Sequence, residues 1–144
     1  MLVRQILAMK GGGDVETIPA STGVSDAVRM LSEKRIGALV ISDDGEVPLG
    51  ILSERDIVRE LGRRGDGVLA ESVSDLMTKN LLGCTDSESA DQVLTKMTEG
   101  RFRHMPVMDG ERMTGLISIG DVVKARLAEL AMEKDALEGM IKGF

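Results

Sequence analysis

Two serine–aspartate pairs are the residues of this chain best suited to binding a small molecule. Ser53 precedes Asp56, and Ser118 precedes Asp121, with the same spacing and each at the junction of a predicted strand and a predicted helix. The serine hydroxyl and the free N–H groups of the first helical turn favour an anion such as phosphate. The aspartate, one turn later, can accept hydrogen bonds from two neighbouring hydroxyls, as on a ribose. Each pair therefore fits a nucleoside phosphate.

The same spacing also has a purely local interpretation. Ser-x-x-Asp is a near relative of the capping box, in which serine caps a helix and an acidic residue at the third position reinforces the cap. For either pair taken alone, capping is the simpler explanation. The binding interpretation gains weight from the duplication of the pair in matching surroundings.

That duplication extends over both halves of the chain. The stretch GILSERDIV at 50–58 matches GLISIGDVV at 115–123, and residues 35–41 match 101–107. Hydrophobic spacing predicts a β-α-β-β-α order in each copy, with strands near 38–41, 49–52, 105–108 and 114–117. The predicted class is α/β (α+β), with repeats over 1–67 and 68–128, a linker at 62–67, and a helical extension over 129–144.

The repeated unit resembles the cystathionine-β-synthase (CBS) domain, and two such units in tandem resemble a Bateman module. The resemblance is carried by a strand of pattern Gly-hydrophobic-x-Ser-x-x-Asp that leads into a helix, and by the stretch GRFRHMPV at 100–107. The first copy differs, with Gly37-Ala38 where the second has Arg103-His104, and with Val40 where the family often has proline. The resemblance covers nearly the whole chain and implies a stand-alone CBS pair that binds an adenosine compound in the cleft between its repeats.

The resemblance also implies a set of site residues. Arg103 and His104 are expected to reach the phosphate of the ligand held by Asp56; the alternative is a solvated basic turn paired with Glu99 or Asp109. Pocket walls are implied by position in the repeat, although apolar residues of this kind are more often plain core. The implied walls are Ile18, Ile36, Ala38 and Ile51 for the first site, and Cys84, Phe102 and Leu116 for the second.

The expected ligand is an adenine nucleotide. AMP is the leading candidate, with ATP, ADP and NAD(H) as alternatives, and a role in energy sensing would follow. Arg103 with His104 favours a phosphate over a cationic sulfonium compound. Because that basic pair occurs only in the second repeat, the two sites are expected to differ, the Asp121 site being weaker or favouring a less charged ligand.

Composition excludes several other classes of function. The 144 residues include 18 Lys and Arg against 24 Asp and Glu, a formal charge of −6, and no Trp or Tyr. Nucleic-acid binding is therefore not expected, because it calls for basic surfaces and stacking side chains. One cysteine and one histidine provide no disulfide or His-rich metal site, and leave Cys84 with His104 as the only conceivable nucleophile pair. No metal and no enzymatic activity are expected.

The chain is expected to be a cytoplasmic homodimer that signals to an unidentified target protein. Its sequence has no signal-peptide core and no stretch of about 20 apolar residues, so no membrane association is expected. The last helix carries Val123, Leu127 and Leu130 at helical spacing, a stripe that either packs on its own module or forms a dimer interface. The length of the helix beyond the repeat favours the dimer. The alternative function is a structural or adaptor dimerisation module without a nucleotide ligand.

Overall fold

Short apolar runs alternate with amphipathic stretches in this chain and produce a mixture of helices and strands. The computed structural model describes residues 1–12 and 15–143, and it confirms the predicted α/β (α+β) class. The elements are α1 (Val3–Met9), β1 (Thr17–Ile18), α2 (Val24–Lys34), β2 (Ala38–Ile41), β3 (Gly50–Ser53), α3 (Glu54–Arg64), a 3-10 helix (Asp66–Ala70), α4 (Val73–Leu76), α5 (Ala90–Gly100), β4 (His104–Asp109), β5 (Arg112–Ser118) and α6 (Ile119–Lys142).

The described residues form two units that are each discontinuous in sequence. We call them unit A, residues 15–82 with 110–114, and unit B, residues 1–12, 83–109 and 115–143. The short helix α1 thus belongs to unit B, although it lies in the first repeat of the sequence. Conversely, α4 belongs to unit A, although it lies in the second repeat of the sequence.

Unit A is built on a three-stranded sheet of order β1-β2-β3. Strand β2 pairs in parallel with β1 and antiparallel with β3. All four residues of β2 are buried, as expected for a continuous apolar run that is covered on both faces. One face packs against the helices, and its core includes Ile18, Val24, Ala27, Leu31, Leu39, Ile41, Leu52, Ile57, Val68, Val73 and Leu76.

Unit B is built on β4 and on the part of β5 from Gly115 to Ser118. Cys84 extends this sheet through a parallel bridge to Val107. Alternate residues of β4 face the helices, so Met105 and Val107 enter the core together with Ile117 of β5. The remaining core residues come from the flanking segments: Val3, Ile6, Cys84, Ala90, Val93, Met97, Val122 and Ala125.

The glycine that opens each repeated motif allows a close approach of chain segments. A Cβ added at Gly50 would lie 2.5 Å from Met77 Sδ and 2.9 Å from the carbonyl oxygen of Thr78. A Cβ at Gly115 would lie 2.9 Å from the side chain of Leu7. In each unit, a short segment from the other half of the chain therefore lies directly against the glycine.

Replacing Gly50 by alanine is expected to lower the free energy of unfolding by about 1–3 kcal/mol, because the Thr78 backbone cannot move away as a side chain can. Gly62→Ala is the matched control: Gly62 lies in α3 with no atom near an added Cβ, so that change should be neutral or stabilising by about 0.5–1 kcal/mol. Urea denaturation of both variants measures the difference. Equal stability of the two would contradict the close packing at Gly50.

The segment that joins the two repeats is more regular than its glycines suggest. The linker expected at 62–67 is largely helical, because α3 continues to Arg64 and the 3-10 helix begins at Asp66. Ion pairs from Arg64 to Glu60 and Glu71 stabilise this region, at 2.9 and 3.0 Å.

Candidate functional site

The Ser53–Asp56 pair of unit A forms a complete capping box. The Ser53 N–H donates to Asp56 Oδ2 at 2.9 Å, and the Asp56 N–H donates to Ser53 Oγ at 3.2 Å. The serine hydroxyl also donates to Oδ2, at 3.0 Å, and Arg59 donates to Oδ1, also at 3.0 Å. Asp56 is only 7% exposed. The capping interpretation is confirmed here, and it holds a buried carboxylate at the junction of β3 and α3.

The Ser118–Asp121 pair of unit B forms the same box. The Ser118 N–H donates to Asp121 Oδ2 at 2.9 Å, and the Asp121 N–H donates to Ser118 Oγ at 3.1 Å. Lys10 adds an ammonium group 2.8 Å from the same Oδ2. Burial raises the pKa of the Asp121 carboxyl, but the Lys10 hydrogen bond and charge and the Ser118 donors outweigh it and hold that pKa below its ordinary value.

Sequence reasoning missed Lys10. Its ammonium group also donates to the carbonyl of Leu116 at 2.8 Å, so one side chain joins the end of α1 to β5 and α6. A lysine at the end of a short helix, before three glycines, has no distinctive spacing. Its placement depends on α1 packing in unit B, which the repeat pattern did not indicate.

The expected wall residues of the first site lie on two faces of the unit A sheet. Ala38 pairs with Ser53 and Val40 with Ile51, so these four share one face. Ile18 pairs with Ile41 and belongs to the helix-packed core on the other face. Ile36, just before β2, also packs against that core. The structure thus brings Ala38 and Ile51 together with Ser53, and places Ile18 and Ile36 with the core.

The expected wall residues of the second site divide in a similar way. Cys84 is a core residue of unit B, and Phe102 is partly buried against the same core. Leu116 is half-buried, and it lies on the same face of β5 as Ser118 because it alternates with the core residue Ile117. Leu116 and Ser118 are therefore the residues of this group that share a face.

The basic pair lies at the start of β4. Arg103 is exposed and His104 is half-buried. The Arg103 carbonyl accepts the N–H of Ile119, the first residue of α6, at 2.8 Å. The backbone of Arg103 is therefore adjacent to the helix end that carries Ser118 and Asp121.

Cys84 is poorly suited to act as a nucleophile. Burial raises the pKa of its thiol from 9.0 to about 11, and the charge of Glu88 adds to the effect. The thiolate is the reactive form, so at neutral pH the group is protonated and unreactive. Within residues 1–12 and 15–143, no group of three or more His, Cys, Asp or Glu residues is arranged to hold a metal ion.

The Cys84 thiol should make the fold sensitive to alkali. Its pKa is higher in the folded than in the unfolded chain, so the stabilisation is complete below about pH 9 and is lost as pH rises toward 11. Urea denaturation between pH 8 and 11 should show a steeper loss of stability for the unaltered protein than for Cys84→Ala. Parallel curves for the two proteins would show that the thiol does not contribute.

No helix among the described residues is both long enough and apolar enough to cross a membrane. The longest, α6, is interrupted by charged residues along its 24 positions.

Comparison with known proteins identifies the family. The CBS domain model matches residues 3–63 and 73–128. The mitochondrial CBS domain-containing protein CBSX3 of Arabidopsis thaliana is 36% identical over 124 residues, which are 83% of this chain and 60% of that protein. The chain thus spans less than two thirds of the length of this relative.

Solved structures agree with this match. The CBS-domain protein ATU1752 from Agrobacterium tumefaciens is 44% identical, with a TM-score of 0.83 over 88% of this chain and 99% of that one. The CBS domain pair of protein MJ0100, in complex with 5′-methylthioadenosine and S-adenosyl-L-methionine, shares the fold at 23% identity, with a TM-score of 0.77 over 90% and 98% of the two chains. This chain belongs to the CBS-domain family and contains two CBS domains.

Proposed function

We propose that this chain is a non-enzymatic regulatory module that binds an adenosine-containing ligand and signals its occupancy to a partner protein. The observation that carries the proposal is the pair of strand–helix junctions, at which a serine, the first helical turn and a shielded aspartate converge. Such a junction offers donors for an anion and a carboxylate for hydroxyl groups. The CBS pair of MJ0100, which has the same fold, binds two adenosine compounds, and this supports the ligand class.

Capping and ligand binding are compatible at these junctions. A carboxylate offers about four acceptor positions, and the capping box uses only part of this capacity. At Asp56, the capping contacts fall on Oδ2, while Oδ1 accepts from the largely exposed side chain of Arg59. The pair joins this exposed guanidinium to a buried carboxylate, so a ligand that displaces Arg59 has to supply a hydrogen bond in its place. Ribose hydroxyls can supply that hydrogen bond without breaking the cap.

The proposed sites keep the residues expected from the sequence. Ser53 and Asp56, with Ala38 and Ile51 on the same sheet face, are proposed for one ligand. Ser118 and Asp121, with Leu116, are proposed for the other. Contributions from Ile18, Ile36, Cys84 and Phe102 would come through neighbouring backbone groups, because these side chains lie in or against the cores. That Arg103 and His104 reach the phosphate of the Asp56 ligand stays a prediction.

The proposed ligand is an adenine nucleotide, with AMP first and ADP, ATP or NAD(H) as alternatives. A thermal-denaturation panel of these compounds, with adenosine and S-adenosylmethionine included, tests the proposal. A true ligand at 100 times its dissociation constant should add about 2.7 kcal/mol to the free energy of unfolding. Guanosine monophosphate and inorganic phosphate are the controls. If no adenosine compound raises the melting temperature, the adaptor alternative replaces this proposal.

We further propose that the chain acts as a cytoplasmic homodimer through α6. One face of α6 is buried in unit B by Val122 and Ala125. Beside that face, Val123, Leu127 and Leu130 are 45%, 61% and 50% exposed. Their spacing of four and then three residues continues through Lys134 to Leu137 and Ile141, which is the pattern of a helix-pairing seam. A second copy of the same helix offers a matching apolar surface.

The adaptor alternative also has an observation in its favour. Both serine–aspartate pairs are complete capping boxes, and the apolar stripe on α6 needs no ligand to form an interface. The two functions differ in one measurement: an adaptor remains dimeric and its melting temperature does not respond to any nucleotide.

A further inference from the structure

Lys10 is built into the Asp121 junction from a separate element. Leu7, one turn earlier in α1, packs on Gly115, where an added Cβ would lie 2.9 Å away. This packing holds the end of α1 over β5, and the Lys10 ammonium group lies 2.8 Å from both Asp121 Oδ2 and the Leu116 carbonyl. The Lys10 side chain is 36% exposed, so it is partly shielded and still open to solvent.

The Asp56 junction is built differently. Ile51, which matches Leu116 in the repeat, exchanges two backbone hydrogen bonds with Thr78, at 2.9 and 3.0 Å. The cation beside Asp56 is Arg59, which comes from the same helix as the aspartate. A lysine from outside the repeated motif therefore distinguishes the Asp121 junction.

The Lys10 ammonium group has the capacity to bind a ligand as well as Asp121. It has three N–H donors, of which the carboxylate and the carbonyl account for two, so a third can serve a ligand. The Lys10 charge compensates Asp121, so a cationic ligand gains little there, while a ligand phosphate can pair with the ammonium. The sequence predicted that the Asp121 site is weaker or favours a less charged ligand, but that prediction did not include Lys10.

We propose that Lys10 determines the ligand specificity of the Asp121 site and makes it selective for phosphorylated adenosine compounds. The inference rests on the proposed function, since it concerns the same ligand class. Within that class, it assigns the phosphate preference of the second site to a residue outside the Ser-x-x-Asp motif.

Calorimetric titration of AMP and of adenosine tests the inference. Lys10→Gln removes the charge but keeps a donor, and it should lower the ratio of AMP affinity to adenosine affinity about tenfold or more. Lys10→Arg should retain most of that ratio. Lys34→Gln is the matched control, because Lys34 forms an ion pair of the same 2.8 Å length with Glu16 elsewhere in the fold. It should leave the ratio unchanged.

Repeating these titrations in an Asp56→Ala background assigns the effect to the Asp121 site. An unchanged ratio in Lys10→Gln overturns the inference, as does an equal loss of AMP and adenosine affinity, which would show a structural role only. If the unaltered protein binds no adenosine compound, the proposed function itself fails, and that result is seen before any Lys10 variant is made. Circular dichroism of each variant verifies folding. A loss of the ratio of AMP affinity to adenosine affinity in Lys10→Arg, with that ratio kept in Lys10→Gln, also counts against the inference.

Discussion

Asp56→Ala should weaken the binding of an adenosine ligand at its site by at least about a hundredfold. Two hydrogen bonds from ribose hydroxyls to a carboxylate contribute roughly 1.5–3 kcal/mol each, and every 1.4 kcal/mol is a factor of ten in affinity. The fold should lose less, about 1–2 kcal/mol, because the variant removes the third-position partner of the cap and one ion pair with a largely exposed arginine. Calorimetry and urea denaturation of the unliganded protein measure the two effects separately.

The control for this variant is a capping box that has no proposed ligand. Ser89 and Gln92 form such a box at the start of α5, with the Gln92 N–H donating to Ser89 Oγ at 3.1 Å. Gln92→Ala should reduce stability by a similar amount and leave ligand affinity unchanged. If Asp56→Ala behaves like Gln92→Ala in both measurements, Asp56 serves only to cap α3.

The parts of the fold that depend on local pattern could be predicted from the sequence. The run of four consecutive apolar residues at 38–41 predicts a buried strand. The structure confirms its bounds and its burial. The two serines were expected at helix starts, and both are N-caps. These features depend only on neighbours within a few residues.

The set of chain segments that makes up each unit could not be predicted from local pattern. Each one joins segments far apart in the chain, such as Leu7 with Gly115, and no single-sequence pattern reports contacts over that distance. The sequence repeat identifies the glycines that open the motifs, but it does not identify the segments that pack against them. Lys10 was missed for the same reason, and the choice between pocket wall and core for Ile18 stayed open, because the strand register decides which face it occupies.

Leu127→Glu should convert the proposed homodimer into a monomer. Leu127 is 61% exposed and lies in the middle of the apolar stripe on α6. In a two-fold interface, each altered residue occurs twice, so two unpaired carboxylates would be buried together. We expect the dimer dissociation constant to rise at least about a hundredfold. Light scattering at micromolar concentrations should then give the 15.4 kDa mass of one chain, while the unaltered protein gives twice that mass.

Val47→Glu is the control for this change. Val47 is also an exposed apolar residue, at 41%, but it lies in the loop between β2 and β3 and not on α6. It should leave the mass of the dimer unchanged, which would show that position on the helix matters and added charge alone does not. A mass of one chain for the unaltered protein would remove the dimer from the proposal. If the Leu127→Glu variant remains a dimer, the interface lies on a surface other than the α6 stripe. An interface of matched apolar residues cannot bury two unpaired charges and remain intact.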